Sequence, residues 1–315
     1  MRWKVLVTAP RAVAAIDRYR RELEAAGCEV FGHVTDERVE EHELSHLLGD
    51  VDATICGDDR ITARVLDAAP RLQVISKWGT GIDSIDVAEA RRRGIAVCNT
   101  PGAFSEPVAD TVLGYMLLFA RQLDQMTADM RAGLWRRLPL RSLGECTLGV
   151  IGLGSCGRAV VRRAKAFGMR VLAATLPQPD AEPANESAAS IVSLETLLED
   201  SDFVTIHADL RTDNRHLINA SNLRLMKSHA ILINTARGRL VDERALVAAL
   251  RENQIGGAAL DVFEDEPLPA GSPLRSFANV HLAPHNANAS PSAAERVHAN
   301  SINNVIRILT TATPK

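Results

Sequence analysis

Short apolar runs alternate with charge-rich, helically spaced stretches from the start of the chain. The runs VLVTA (5–9), CEVFGH (28–33), DATIC (52–56), LQVISKW (72–78) and IAVCN (95–99) are each separated by such a stretch. Near-continuous apolar runs joined by crossover helices are what parallel strands buried on both faces require. The first 100 or so residues therefore predict a small doubly wound α/β unit. Punctuation follows at Asn99-Thr100-Pro101-Gly102, and Ser105, Glu106 and Pro107 supply a helix start with a cap residue, an acid and a proline. One helix is predicted from there to about Arg131, stopping before Gly133, with an apolar stretch at 112–120 that needs cover on several faces.

From Thr147 the alternation restarts. Strand-like runs are TLGVIG (147–152), MRVLAAT (169–175), FVTIHA (203–208), AILINTA (230–236), GAALDVF (257–263) and NVHLAPH (279–285). Helices are predicted at 157–167, 194–199 and 243–253, and the tail after Ser290 reads as one amphipathic helix. The Pro/Ala/Ser-rich stretch 177–190 reads as a surface loop, since the strand–helix rhythm continues across it.

Composition narrows the function classes. Aromatics make up only 4%, so the cores are built from Ala, Val, Leu and Ile. A net charge of −3 gives no reason to expect nucleic acid, and no apolar segment is long enough to span a bilayer, so no membrane partner is expected. The five cysteines form no CxxC pair and read as buried thiols in a reducing compartment; the expected location is the cytoplasm.

Gly152-Leu153-Gly154-Ser155-Cys156-Gly157 fits G-x-G-x-x-G between a strand-like run and a proline-free helix. In that context glycines allow a tight turn and the close approach of a pyrophosphate, while the helix N-terminus offers N–H groups to the anion. The next strand is expected to end in an acid for the ribose hydroxyls, yet the chain reads Ala173-Ala174-Thr175-Leu176-Pro177. A 2′-phosphate is then neither repelled nor attracted there, so NAD and NADP both stay open, with NAD the first choice.

Three later segments place polar residues at strand ends, which border the ligand crevice in open α/β sheets. They are Asn234-Thr235-Ala236-Arg237-Gly238, Asp261-Val262-Phe263-Glu264-Asp265-Glu266-Pro267 and Ala283-Pro284-His285. Together they offer a guanidinium for a carboxylate, an acid to hold a histidine, and the histidine, as hydride transfer to a 2-keto acid requires.

With Lys77-Trp78-Gly79-Thr80-Gly81-Ile82-Asp83, Asn99-Thr100-Pro101-Gly102 and Val108-Ala109-Asp110, these motifs make the chain resemble the D-isomer-specific 2-hydroxyacid dehydrogenases, the family of phosphoglycerate dehydrogenase and glyoxylate/hydroxypyruvate reductase. The resemblance covers almost the whole chain. It implies two doubly wound parallel-sheet domains with a cleft between them. These are a discontinuous flavodoxin-like substrate domain (1–100 plus 289–315) and a Rossmann cofactor domain (101–288). It implies interconversion of a small 2-keto acid and its D-2-hydroxy acid, and the long apolar helix from Val108 to Arg131, with Trp135 beyond it, is expected to form a homodimer interface. Arg237 would bind the substrate carboxylate and carbonyl, His285 would exchange the proton, and Glu266 would orient His285 and favour its protonated form. Cofactor contacts are expected from Gly152, Gly154, Ser155, Cys156, Gly157, Arg158, Thr175, His207, Thr235, Ala236 and Asp261, the last toward the nicotinamide carboxamide. Lys77, Thr80 and Gly81 are the expected further substrate contacts.

Departures bear on the substrate. Where phosphoglycerate dehydrogenases carry an arginine for the phosphate, the chain reads Ile55-Cys56-Gly57-Asp58-Asp59-Arg60, and Asp58 and Asp59 are expected to oppose a phosphate. A small unphosphorylated 2-keto acid is the resulting expectation. Two rivals come from other classes. One is a dinucleotide-sensing scaffold or corepressor on the same fold. The other is a zinc protease, because His42-Glu43-Leu44-Ser45-His46 matches H-E-x-x-H, with Gly49 and Asp52 mimicking an extended third-ligand spacing. That segment lies between two predicted strands with its leucines toward the sheet, so no metal is expected.

Overall fold

The computed structural model describes residues 3–36, 38–176 and 189–311. The chain divides by contact into two compact units, one of Met1–Phe104 with Ser290–Lys315 and one of Ser105–Ala289. In chain order the first carries β1 (Trp3–Val7), α1 (Pro10–Ala14), α2 (Ile16–Ala25), β2 (Cys28–Gly32), α3 (Glu41–Leu47), β3 (Ala53–Cys56), α4 (Ala63–Asp67), β4 (Val74–Lys77), α5 (Val87–Arg92) and β5 (Ala96–Cys98). The second carries α6 (Ser105–Arg121), α7 (Leu123–Arg131), β6 (Thr147–Ile151), α8 (Ser155–Ala166), β7 (Arg170–Ala174), β8 (Ser190–Ile191), α9 (Leu194–Asp200) and β9 (Phe203–Ile206). It continues with α10 (Ala220–Leu223), β10 (Ile231–Asn234), α11 (Glu243–Arg251), β11 (Gly257–Leu260) and β12 (Val280–Leu282), after which α12 (Pro291–Thr311) rejoins the first unit.

In the first unit five parallel strands run in the order β2-β1-β3-β4-β5. One face is covered by an aliphatic cluster that includes Leu44, Leu48, Ile61, Val65 and Ile75, all at most 0% exposed. The tail helix α12 lies on β3 and β4, where Ser76 Oγ donates to the Ser301 carbonyl at 3.0 Å and Trp78 Nε1 donates to His298 Nδ1 at 3.1 Å. The same helix holds the end of the segment after β5, since Arg296 Nη2 donates to the Ala103 carbonyl at 3.1 Å. The first unit therefore extends to Phe104 and does not stop near position 100.

The second unit is a seven-stranded parallel sheet in the order β12-β11-β10-β9-β6-β7-β8. Its aliphatic core includes Ile151, Leu197, Leu198, Leu232 and Leu246, each with 0% exposure, and each such side chain contributes about 2 kcal/mol. At the N-terminal ends of the strands, Asp202 accepts from the Thr147 N–H (2.7 Å), from Arg141 Nη1 (3.1 Å) and from His229 Nε2 (2.7 Å). Burial opposes ionisation of this carboxyl, but the converging donors and the Lys227 charge hold it well below the usual carboxylate range.

Three sequence expectations need correction. The helix predicted from Ser105 to Arg131 is two, α6 and α7, broken at Gln122 in the left-handed region (φ 44°). Its ladder ends because the Arg141 N–H takes the Ala120 carbonyl at 3.2 Å. Ser190, placed in a loop, opens the short edge strand β8, paired through Leu172–Ser190 and Ala173–Ile191; residues 177–188 of that expected loop lie outside the described residues. The four-residue helix α10 was not anticipated, being too short to show a period.

Candidate active site

All strands of the second sheet are parallel, so the segments leaving β6, β7, β9, β10, β11 and β12 emerge along one edge. The order reverses between β6 and β9, which are neighbours, and such a switch point opens a crevice at the C-terminal edge. The glycine turn lies there. Gly152 has φ 95°, and a Cβ on it would come within 2.6 Å of the His207 carbonyl oxygen; a Cβ on Gly157 would meet the Gly152 carbonyl at 2.0 Å. Packing within the protein thus accounts for those two glycines. It does not account for Gly154, whose hypothetical Cβ meets nothing within 4 Å. Gly154 is also the N-cap of α8 and carries no capping side chain, which leaves the first-turn N–H groups facing that open space. Nearby, the buried hydroxyl of Thr235 finds no partner among the described residues. Open space before a helix N-terminus and an unsatisfied hydroxyl on the same sheet edge fit a dinucleotide.

Arg237 follows β10 in a turn fixed by Asn234, whose Nδ2 donates to the Arg237 carbonyl (2.9 Å) and whose Oδ1 accepts from the Ala236 N–H (3.1 Å). A Cβ on Gly238 would lie 1.9 Å from the Phe263 carbonyl carbon, so this turn packs directly beneath the segment after β11. There Glu266 turns back: its Oε1 accepts from the Phe263 N–H at 2.9 Å, and its Oε2 lies 2.9 Å from His285 Nδ1. The acid and the histidine are 19 residues apart in sequence and come within hydrogen-bond distance.

His285 is in the left-handed region (φ 49°), which costs a non-glycine residue about 1–2 kcal/mol. Asp261 holds it there. The N–H groups of three consecutive residues go to this one residue: His285 to its carbonyl (2.8 Å), Asn286 to Oδ1 (2.8 Å) and Ala287 to Oδ2 (2.9 Å). Burial raises the Asp261 carboxyl above its ordinary value despite those N–H groups. The structure therefore shows Asp261 binding backbone, with both carboxylate oxygens engaged and 1% exposure, where the sequence suggested a contact to cofactor.

Other predicted residues fall as follows. Thr175 is exposed just past β7, with no acid in the described segment beside it. His207 follows β9; burial holds its imidazole down at about 4, so it is neutral at physiological pH, with Nε2 3.0 Å from Thr205 Oγ1. Burial also pushes the Cys156 thiol up, keeping it in its unreactive form.

In the first unit Thr80 and Gly81 follow β4; Thr80 accepts through its carbonyl from Asn99 Nδ2 at 2.6 Å. Lys77 is 3% exposed, and its ammonium lies 2.5 Å from both the Gly57 carbonyl and Asp58 Oδ1. Asp59, expected to oppose a phosphate, is instead fully buried and accepts from Thr8 Oγ1 (2.6 Å), the Val39 N–H (2.7 Å) and the Gly57 N–H (3.1 Å). Cys56 is also buried, and burial pushes its thiol up to about 12.

The H-E-x-x-H match lies on α3 with His42 and His46 exposed, Leu44 buried and Glu43 Oε1 3.2 Å from His33 Nε2. Asp52 is taken by the Lys4 N–H (2.8 Å) and by Arg71 Nη2 (2.8 Å). Sequence reasoning assigned no site role to Glu243, Glu264 or His216, which lie in or beside the Glu266 loop. The only available signal was the density of acids in Phe263-Glu264-Asp265-Glu266, since the partners come from distant segments.

A family model described as D-isomer specific 2-hydroxyacid dehydrogenase, NAD binding domain, matches residues 113–287, within the second unit. The glyoxylate reductase of Thermofilum pendens is 42% identical over 291 residues, which are 90% of this chain and 86% of that protein. The D-3-phosphoglycerate dehydrogenase of Methanocaldococcus jannaschii is 39% identical over 313 residues, 96% of this chain and 57% of that protein. Among solved structures, a D-lactate dehydrogenase from Aquifex aeolicus complexed with NAD and lactic acid aligns with a TM-score of 0.85 at 28% identity, covering 97% of this chain and 95% of that one.

Proposed function

The chain belongs to the D-isomer-specific 2-hydroxyacid dehydrogenase family, an enzyme of that type using a nicotinamide cofactor, and we propose that it interconverts a small unphosphorylated 2-keto acid and its D-2-hydroxy acid. The observation that carries this reading is the His285–Glu266 pair, 2.9 Å apart on the sheet edge that also bears Arg237 and the glycine turn. Bound nicotinamide supplies or accepts the hydride. Arg237 binds the carboxylate and polarises the carbonyl with its planar fork. His285 moves the proton at Nε2, giving it to the carbonyl oxygen in reduction and taking it from the hydroxyl in oxidation. Glu266 holds the opposite ring nitrogen, Nδ1, which fixes the tautomer and the direction of Nε2. Thr80, Gly81 and Lys77 are proposed substrate contacts, Lys77 acting through the loop it braces.

A glyoxylate-like substrate is supported by that loop and by the name of the Thermofilum relative. The segment after β3 offers the half-exposed Asp58 carboxylate, already paired with Lys77, and buries Cys56 where an arginine for phosphate would be needed. NAD is the proposed cofactor, held at Gly152, Gly154, Gly157 and the start of α8; Thr175 leaves a 2′-phosphate unopposed, so NADP is the alternative. A homodimer is proposed from Met130 (56% exposed), Leu134 (46%) and Trp135 (79%), an apolar group too exposed for a monomer surface.

The test is the oxidation of NADH and of NADPH, followed by absorbance, with glyoxylate, hydroxypyruvate, pyruvate and phosphohydroxypyruvate. Glyoxylate or hydroxypyruvate turning over best supports the proposal. A preference for the phosphorylated acid overturns the substrate, and no oxidation at all with either cofactor favours the scaffold reading.

A further inference from the structure

Glu266 rides on a loop, and loops hold side chains less precisely than strands or helices do. The structure shows what restrains this one. Glu264 Oε1 accepts from the Glu243 N–H at 3.0 Å, and Glu243 Oε1 accepts from the Glu264 N–H at 2.5 Å. Each glutamate thus binds the other's backbone, and the pair closes a ring between the loop and the first turn of α11. Asp242 caps that helix through the Ala245 N–H, so the turn receiving Glu264 is itself fixed.

A third segment packs beside them. Glu264 Oε1 lies 3.2 Å from His216 Nε2 without the alignment of a hydrogen bond, and His216 is anchored by its N–H to the Arg239 carbonyl at 2.8 Å. Ile218 pairs with Val241 in a parallel bridge, which seats the His216 segment against the turn that carries Arg237. Burial raises the Glu243 carboxyl above its ordinary value although it accepts the Glu264 N–H, and repulsion from the nearby Glu264 carboxylate adds to that. An arrangement held against such repulsion serves the backbone it fixes.

We propose that Glu264 and Glu243 form a reciprocal clamp that positions Glu266, and through it His285, for proton transfer; the proposal rests on reading Glu266–His285 as the proton-transfer pair. Both are positioning residues: neither needs to touch substrate or cofactor. Losing the clamp frees the Glu266 loop while the two Asn234 bonds still fix the Arg237 turn, so the proton-transfer step slows and binding is spared.

The test uses the full chain with NADH and glyoxylate as the probe pair. Glu264→Ala is expected to lower kcat about tenfold, with KM for glyoxylate and Kd for NADH unchanged within about twofold. Glu264→Gln keeps an acceptor oxygen for the Glu243 N–H and is expected to recover kcat to within about threefold of wild type. Glu264→Asp keeps the charge but shortens the reach, so it should fall with the alanine variant while remaining folded. Hydrogen exchange of the 262–267 amides should accelerate in the alanine and aspartate variants and not in the glutamine variant. Full kcat in Glu264→Asp, or equal loss in the glutamine and alanine variants, overturns the clamp. His285→Ala in the same assay separates the two readings. If it retains turnover, the proton-transfer assignment fails. If it is inactive while Glu264→Ala is unaffected, the clamp alone fails.

Discussion

Asp261→Asn isolates the restraint on His285. In the wild type the left-handed His285 turn costs about 1–2 kcal/mol and is held by three N–H bonds to Asp261. Two of those go to carboxylate oxygens, and bonds to a charged acceptor are worth about 1.5–3 kcal/mol each. Asparagine keeps one acceptor and turns an N–H donor toward the other amide. The turn then loses about 2–3 kcal/mol of support, more than the strain it restrains, and a relaxed turn competes. At about 1.4 kcal/mol per tenfold, kcat for keto-acid reduction should fall roughly 10- to 100-fold. Global stability should change much less, because the variant no longer buries a charge. Burial raises the Asp261 carboxyl above 3.8, so the wild type loses stability as pH climbs through that raised value, while asparagine does not respond to pH. The stability gap between the two proteins therefore narrows from about pH 4 to pH 7. The assays are kcat and NADH Kd near neutral pH and denaturant melts across that range. A kcat within about twofold of wild type would refute the reasoning; a loss accompanied by a much weaker Kd would show that Asp261 serves the cofactor and not the turn.

Three further outcomes are expected. Gly238→Ala places a methyl 1.9 Å from the Phe263 carbonyl, an overlap with backbone that rotamers cannot relieve, so stability should drop by about 2–3 kcal/mol and kcat with it; wild-type melting would show that the two turns are not packed together. Asp202→Asn should destabilise by about 3 kcal/mol near pH 7, since a carboxylate held far below its unfolded value of 3.8 contributes stability at every pH above it. That deficit should persist at pH 5 and shrink only below 3.8, and a deficit already absent at pH 5 contradicts the assignment. His207, lowered to about 4 by burial, should show no imidazole titration between about pH 5 and 8 in NMR spectra; a midpoint near 6.5 would mean that water reaches the ring.

What the sequence showed and what it hid divide along a physical line. Buried parallel strands are continuous apolar runs, so eleven of the twelve strands among the described residues were legible; the exception, Ser190–Ile191, is a two-residue edge strand without an apolar run of its own. The placement of Arg237, Glu266 and His285 in segments that follow strands was legible because strand ends are predictable once strands are. Helix continuity was not, since the break at Gln122 depends on an N–H arriving from Arg141. The charges were misjudged for the same reason. Asp59 looks like a ligand-facing acid in sequence, and only the fold brings Thr8 and Val39 to it.

Those buried and half-buried acids share one use. Asp59, Asp202, Asp261, Glu243, Glu264 and Glu266 each accept at least one backbone N–H from another segment or from their own turn. Aromatic residues make up only 4% of the chain, so few large rings are available to pin loops by packing. Carboxylate-to-backbone bonds replace them, and they restrain direction as well as distance, which packing of small aliphatic side chains does not. The cost is charge burial, visible in the raised Asp261 and Glu243 carboxyls. That cost is concentrated in the segments around Glu266 and His285, whose two interacting atoms must meet from loops 19 residues apart. At the strand ends a restraint of direction is worth more than one of stability, because the proton transfer proposed for His285 depends on the aim of Nε2 and a well-packed but rotating loop would not supply it.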